Sequence, residues 1–274
     1  MLVGDLNDGY MHYVEECINE INANPKNNKK CSLSSFIPHD KLNERIWLPN
    51  GYINSRVRLR LLDLADDFFD SLDIDWVEVK DIILTGSLAN FNWSKFSDLD
   101  VHILIDYKDV DEKTNLVSNY LSAKKNLWNE QHDNLKIYGF PVEMYVQDIN
   151  EEHISSGVYS LEKNEWVIKP DKENFENIHL NKAFISKKVN EIIYKINKLS
   201  DKINKCDDEY QLEGLAKKVK TLFDKIKGAR KEGLKKSGEY NSFNIIFKVL
   251  RRIGALDKIY ELKIKTYDKM NSLS

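Results

Sequence analysis

Cysteine is scarce: Cys17, Cys31 and Cys206 are the only three in 274 residues. Their number is odd and their spacing matches neither a thiolate metal site nor a redox pair. A reducing cytoplasm is the simplest home for such a chain. No stretch approaches the length of about eighteen apolar residues that a membrane-spanning helix needs. The segment MLVGDLNDGY has neither the basic region nor the apolar core of a secretory signal. Internal repeats and low-complexity tracts are missing. His132 and His153 stand at no ligand spacing to other side chains. There is no RNA-recognition motif and no patch of interleaved basic and aromatic residues.

What is present suffices for a real core. Hydrophobic residues make up 42% and aromatic residues 11%, in a length that suits one large or two modest domains. Charged residues reach 31%, both signs interspersed, and the net charge is −3. That small sum hides an asymmetry. Residues 181–274 hold 23 Lys and Arg against 12 Asp and Glu, about +11, and the remainder 18 against 32, about −14. An acidic half beside a basic half suits a polyanionic partner. A lysine-rich solvated helix surface would give the same count.

Hydrophobic periodicity divides the chain in three. Residues 1–50 read as an N-terminal extension, with a short amphipathic segment over Tyr10 to Ile21, a loop from Asn24 to Lys30 and a turn at Trp47–Gly51. Residues 51–170 alternate helix and strand. Val57, Leu61, Leu64, Ala65, Phe68 and Phe69 recur at helical spacing over 55–72. Strands are predicted at 81–85 and 99–105, and a helix over 111–129 with Leu116, Tyr120, Leu121 and Leu127 as its apolar side. A further strand follows a turn at Gly139-Phe140-Pro141, and 157–170 reads as one or two short strands or an irregular link. Residues 171–274 are helical, with amphipathic runs over 181–204 and 209–227, breaks at Gly228, Gly233 and Gly238, then two last helices over 243–253 and 256–270. The fold class is therefore α+β: a small mixed sheet flanked by helices, then a helical bundle.

The most informative stretch is DIILTGSLANFNWSKFSDLDVHILID. An apolar strand runs into Gly86-Ser87, a polar loop follows, and Asp98-Leu99-Asp100 opens the next strand. Residues i and i+2 of a strand share a face, so Asp98 and Asp100 aim together while Leu99 and Val101 aim inward. Converging carboxylates repel unless a cation lies between them, and a hard cation such as Mg²⁺ suits oxygen donors. A glycine-serine turn with free N–H groups can cradle an anion. A third acid, Glu143, stands inside the apolar strand VEMYV, where burial is costly without a partner. Alternation puts Glu143, Tyr145 and Gln147 on one face and Val142, Met144 and Val146 on the other.

These parts, in this order, resemble the signature of the DNA polymerase beta superfamily of nucleotidyltransferases, over roughly residues 80–147. The resemblance implies a palm-like catalytic core in 51–170. It implies that Asp98, Asp100 and Glu143 are the catalytic and metal-binding triad for Mg²⁺ or Mn²⁺, and that Gly86 and Ser87 hold a nucleoside triphosphate, ATP among the candidates. The implied reaction moves a nucleoside monophosphate to a hydroxyl acceptor and releases pyrophosphate. The acceptor could be a nucleic-acid end, a small molecule, a nucleotide or a protein, and the basic helical half tilts toward RNA.

Other readings of the same residues stay open. Asp98 and Asp100 also suit a solvated acidic strand end, or Ser97-Asp98 a helix cap, although the β-branched residues after them favour a strand. Glu143 also suits an edge-strand charge. Asp148 is a rival third ligand, or a turn aspartate. Within the loop, Lys95 and Ser97 are candidates for phosphate binding, and Trp93 either stacks on a base or packs on the sheet. His102 shares the face of Asp100. The resemblance also implies a basic helical residue that holds the outer phosphates, with Lys217, Lys218, Lys220, Lys225 and Lys227, near Arg230 and Lys231, or Arg251-Arg252 as candidates that no motif singles out. A non-catalytic nucleotide- or RNA-binding module and a pyrophosphokinase are the competing functions.

Overall fold

The computed structural model describes residues 33–151, 155–175 and 180–272. The expectations for Tyr10–Ile21, for Asn24–Lys30, for Cys17 and Cys31, and for His153 lie outside those residues. The architecture is α+β, with a mixed six-stranded sheet and seven α-helices among the described residues. No helix among them is long and apolar enough to cross a membrane. The chain divides into a sheet-containing unit, Ser35–Asn177, and a helical unit that includes Ile178–Ser274.

In the sheet unit, helix α1 (Ser55–Asp70) precedes β1 (Asp81–Thr85) and β2 (Leu99–Ile105). A short helix α2 (Tyr107–Val110), helix α3 (Thr114–Gln131) and the hairpin β3 (Lys136–Ile137) with β4 (Phe140–Asp148) follow. The unit ends in a second hairpin, β5 (Val158–Ser160) and β6 (Glu165–Ile168). The strand order is β3-β4-β2-β1-β5-β6. Every neighbouring pair is antiparallel except β2 and β4, which run parallel. Parallel neighbours need a long crossover, and α2, α3 and β3 supply it.

Alternation along β2 fixes which face is which. Leu99, Val101, Ile103 and Ile105 are fully buried and pack with Val57, Leu61, Ala65 and Phe68 of α1 and with Val117, Leu121 and Trp128 of α3. Each such side chain contributes roughly 1.5–3 kcal/mol through burial. Asp100 and His102 are left on the opposite face, where Ile83, Leu104 and Val158 form a small separate apolar cluster. The free edge of β4 at Met144 is covered by one side chain: Asn129 of α3 accepts from the Met144 N–H at 3.0 Å and donates to its carbonyl at 3.2 Å.

Three expectations need correction. Residues 35–50 are no mere extension: Ile46 and Trp47 are buried in the sheet unit's core, and the Trp47 indole donates to the Leu88 carbonyl at 2.7 Å. The buried stripe of α3 is Val117, Leu121 and Trp128, while Leu116 and Leu127 are exposed. The helix starts at Thr114 and turns its β-branched and indole residues inward. Neither Gly228 nor Gly233 breaks the helix there.

The helical unit contains α4 (Lys182–Asn204), α5 (Glu209–Ser237), α6 (Ser242–Arg252) and α7 (Ala255–Asn271). Helix α5 runs through Gly228 and Gly233 and ends only at Gly238, whose φ is 65°. Each internal glycine costs about 1 kcal/mol of helix propensity, which packing of the apolar face overcomes. At Gly233 bareness is required, because a Cβ would lie 2.4 Å from Asn241 Oδ1. Ile185, Val189, Ile196 and Ile203 of α4 and Leu212, Leu215, Val219 and Ile226 of α5 supply buried stripes.

Candidate metal centre

Register brings the carboxylates together. Asp100 lies opposite Thr85 on one side and opposite Glu143 on the other, because β2 pairs with β1 and with β4 at the same residue. Asp98 is two residues earlier on the same face. Asp98, Asp100 and Glu143 are each half-buried, and one oxygen from each lies within 4.8 Å of the others. At that separation two unit charges repel by about 3.5 kcal/mol for an effective dielectric of about 20. Three such pairs in one place are a standing cost, and a cation among the oxygens relieves it. The donor set is all carboxylate, which suits a hard divalent ion. The triad can therefore bind a metal ion.

Gly86 lies directly against this group. Its φ is 75° and its ψ −161°, a conformation that suits glycine, and a one-turn 3₁₀ segment, Ser87–Ala89, starts after it. The Ser87 hydroxyl donates to Ser97 Oγ at 2.7 Å, and Ser97 Oγ also accepts the Ser94 N–H at 2.9 Å. Ser97 thus ties the start of the Gly-Ser loop to its end, immediately before Asp98. Its role here is to position Ser87 and the carboxylate strand.

The Lys95 Nζ sits 4.7 Å from the Phe96 ring, and the residue lines a cavity of about 580 Å³ with His39, Arg45, Trp93 and Phe140. Trp93 packs against the core, stacks on His39 at 3.7 Å and donates its indole N–H to the Lys41 carbonyl at 2.9 Å. Packing, not base stacking, accounts for it. Asp148 also stays outside the triad: at the end of β4 it accepts from the Asn150 N–H at 3.0 Å and from its side-chain amide at 2.8 Å, a turn aspartate.

Tyr145 is the residue that motif reading passed over. Two places after Glu143 on the same face, its hydroxyl donates to Glu143 Oε2. Burial pushes the Tyr145 phenol well above its usual range, and the charges of Asp100, Glu143 and Asp98 push it further. It therefore stays protonated and remains a donor. His102 stacks on Tyr145 at 4.7 Å, and its Nδ1 is 2.8 Å from Gln147 Oε1. Lys125 of α3 lies over the Tyr145 ring at 4.6 Å. The signal for this polar row was the period-two alternation of β2 and β4, which put His102, Tyr145 and Gln147 on the triad's face.

Comparison of the chain with protein-family models, with curated proteins and with solved structures gave no match.

Proposed function

We propose that this chain is a metal-dependent nucleotidyltransferase. It moves a nucleoside monophosphate from a nucleoside triphosphate to a hydroxyl acceptor, on a nucleic-acid end such as RNA, a small molecule, a nucleotide or a protein. The observation that supports this reading is the meeting of Asp98, Asp100 and Glu143 within 4.8 Å, with Gly86 packed against Asp100. Those three carboxylates would hold Mg²⁺ or Mn²⁺. A bound ion would neutralise phosphate charge and acidify the attacking hydroxyl.

The chain's own groups do the rest. N–H groups of the Gly86-Ser87 turn bind phosphate oxygens, and the Ser87 hydroxyl, whose proton goes to Ser97 Oγ, ties that turn to the residue before Asp98. The acceptor oxygen forms its bond to the α-phosphorus as the bond to the bridging oxygen of pyrophosphate breaks. A Glu143 carboxylate oxygen takes the acceptor's proton. The Tyr145 hydroxyl fixes the other carboxylate oxygen, Oε2, so that the carboxylate keeps one orientation.

The test is incubation with nucleoside triphosphates radiolabelled at the α-phosphate, Mg²⁺ or Mn²⁺, and cell extract. Label should move to an acceptor with the wild-type chain and not with Glu143→Gln. No transfer from any nucleotide would leave a non-catalytic nucleotide- or RNA-binding module. Transfer of label from the γ position instead would make the chain a pyrophosphokinase.

A further inference from the structure

Helix α3 carries two apolar stripes, and the sheet uses one of them. Val117, Leu121 and Trp128 are buried in the core. Leu116, Tyr120, Ala123 and Leu127 succeed one another at spacings of four, three and four, so they form a second stripe along the helix. That stripe meets water: Leu116 is 62% exposed, Tyr120 38% and Leu127 53%, and Ala123 is exposed as well. A helix that packs on a sheet through one face ordinarily turns polar residues outward on the other. The patch extends sideways. The Tyr120 hydroxyl donates to the Leu72 carbonyl at 2.6 Å, which holds the 72–77 loop beside the helix. On that loop Trp76 is 65% exposed, with its indole N–H anchored on the Asp109 carbonyl at 3.3 Å. Large apolar side chains gathered on one outer face mark an interaction surface.

The pattern of the stripe identifies the partner. When two identical helices pair antiparallel about a twofold axis, a residue of one meets a second residue of the other, and that second residue meets the first in return. With the axis between Leu121 and Ser122, Leu116 faces Leu127 of the second copy and Tyr120 faces Ala123 of the second copy. This is the one antiparallel register in which all four stripe residues meet stripe residues. It sets the bulkiest of the four against the smallest, which lets the helices close to about 8–10 Å. Charge follows the same register. Lys113, the N-cap residue, falls opposite Glu130 of the last turn at both ends of the pair, and both residues are exposed. Glu112 falls opposite Gln131, and Lys125 opposite Ser118. Lys124, already 3.2 Å from Asp73, falls opposite Asn119. No two like charges oppose each other over residues 112–131. Complementarity in both size and charge about one point is what a surface made for its own copy requires.

We propose that α3 is a homodimer interface, in which two copies of this chain associate through antiparallel α3 helices centred between Leu121 and Ser122. The helix also holds the edge of β4 through the two Asn129 hydrogen bonds to Met144, next to Glu143, so the dimer braces the strand that carries that acid. The interface stands whether or not the triad transfers nucleotides. Eighteen residues of helix span about 27 Å. A contact of that length lies at the small end of specific interfaces, where association follows concentration.

Sedimentation velocity of the full chain in reducing buffer, from about 1 to about 200 µM, tests it. The wild-type chain should pass from monomer to dimer across that range. Leu116→Ser and Leu127→Ser change exposed positions. Each should weaken association about tenfold or more and leave the melting temperature of the dilute monomer unchanged. Lys113→Glu and Glu130→Lys each set like charges against each other at both ends and should weaken association several-fold. Both reversals agree with the helix dipole, so neither unravels α3. The double variant Lys113→Glu/Glu130→Lys should restore the dimer, and Asp98→Asn/Asp100→Asn should dimerise as the wild type does. A wild-type chain that stays monomeric at the highest concentration overturns the proposal. A dimer that persists in Leu116→Ser/Leu127→Ser overturns it too, because another surface then holds the copies together. A lower monomer melting temperature in the leucine variants would show that the chain's own residues cover the stripe, with the same consequence. A charge-reversed double variant as weak as its single parents overturns the antiparallel pairing and the proposal with it.

Discussion

Gly86 and Asp100 are packed so closely that a Cβ on Gly86 would lie 1.9 Å from Asp100 Oδ2 and 2.9 Å from its Cγ. The glycine therefore does two things at once: it turns the chain out of β1, and it leaves the room in which the Asp100 carboxylate sits. Gly86→Ala must either push Asp100 out of line or shift β1 against β2. Its φ of 75° adds strain of about 1–3 kcal/mol for any side chain. The variant should melt lower and lose any stabilisation by Mn²⁺, both read in thermal melts with and without the ion. A Gly86→Ala chain that keeps its full Mn²⁺ response would disconnect this turn from the carboxylates.

Asp98→Asn and Asp100→Asn should behave in the opposite way toward stability. Each removes one charge from a group of three within 4.8 Å. Without metal, each variant should melt at or above the wild-type temperature, because repulsion falls. With Mg²⁺ or Mn²⁺, the wild-type chain should gain stability by linkage and the variants should not. Nucleotide transfer should disappear in both. A wild-type-sized metal shift in both variants would sink the metal assignment.

The strands and the acids were legible in sequence because both follow local rules. Leu99 to Ile105 alternates in hydrophobicity, and the same alternation that buries Val101 turns Asp100 and His102, both half-buried, to the opposite face. Parallel pairing of β2 with β4, which sets Asp100 opposite Glu143, was not legible: register across a crossover is decided by packing of α3, not by either strand alone. Residues 35–50 were obscure for a related reason. Trp47 bonds to Leu88 and packs on Tyr159 and Trp166, far along the chain, and no local period marks it. Gly233 signalled a helix break by propensity, and packing of the apolar face of α5 overrode it.

A buried carboxylate outside the triad gives a control. Asp81, at the start of β1, is 5% exposed. It accepts from Ser160 Oγ at 2.8 Å and from the Ile82 N–H at 2.8 Å, and pairs with Lys163 Nζ at 3.1 Å. Asp81→Ala strands the Ser160 hydroxyl in the core and should cost about 1–3 kcal/mol in urea unfolding. Lys163 is 58% exposed, so Lys163→Met should cost under about 1 kcal/mol. Neither variant should alter the thermal response to Mn²⁺. The contrast separates an acid that holds the sheet together from acids gathered within 4.8 Å of one another.

Tyr145→Phe isolates the orienting hydroxyl. The ring and its stacking on His102 remain, and only the donor to Glu143 Oε2 is removed. Stability should change by no more than about 0.5–1.5 kcal/mol, the net worth of one hydrogen bond. Metal affinity or turnover should fall by about 10–100-fold, as for other side chains that orient a metal ligand. The pH dependence discriminates between orientation and proton transfer. Burial and the three neighbouring carboxylates raise the phenol's pKa, so the proton stays on Tyr145 at pH values where a free tyrosine would begin to lose it. The donor to Glu143 is then present across the whole working range. Transfer by Tyr145→Phe should accordingly run parallel to the wild-type profile from about pH 6 to about pH 9, lower by a constant factor. If the substitution instead abolishes an alkaline limb that the wild-type enzyme shows, Tyr145 itself is losing a proton in the reaction, and the orienting role is wrong.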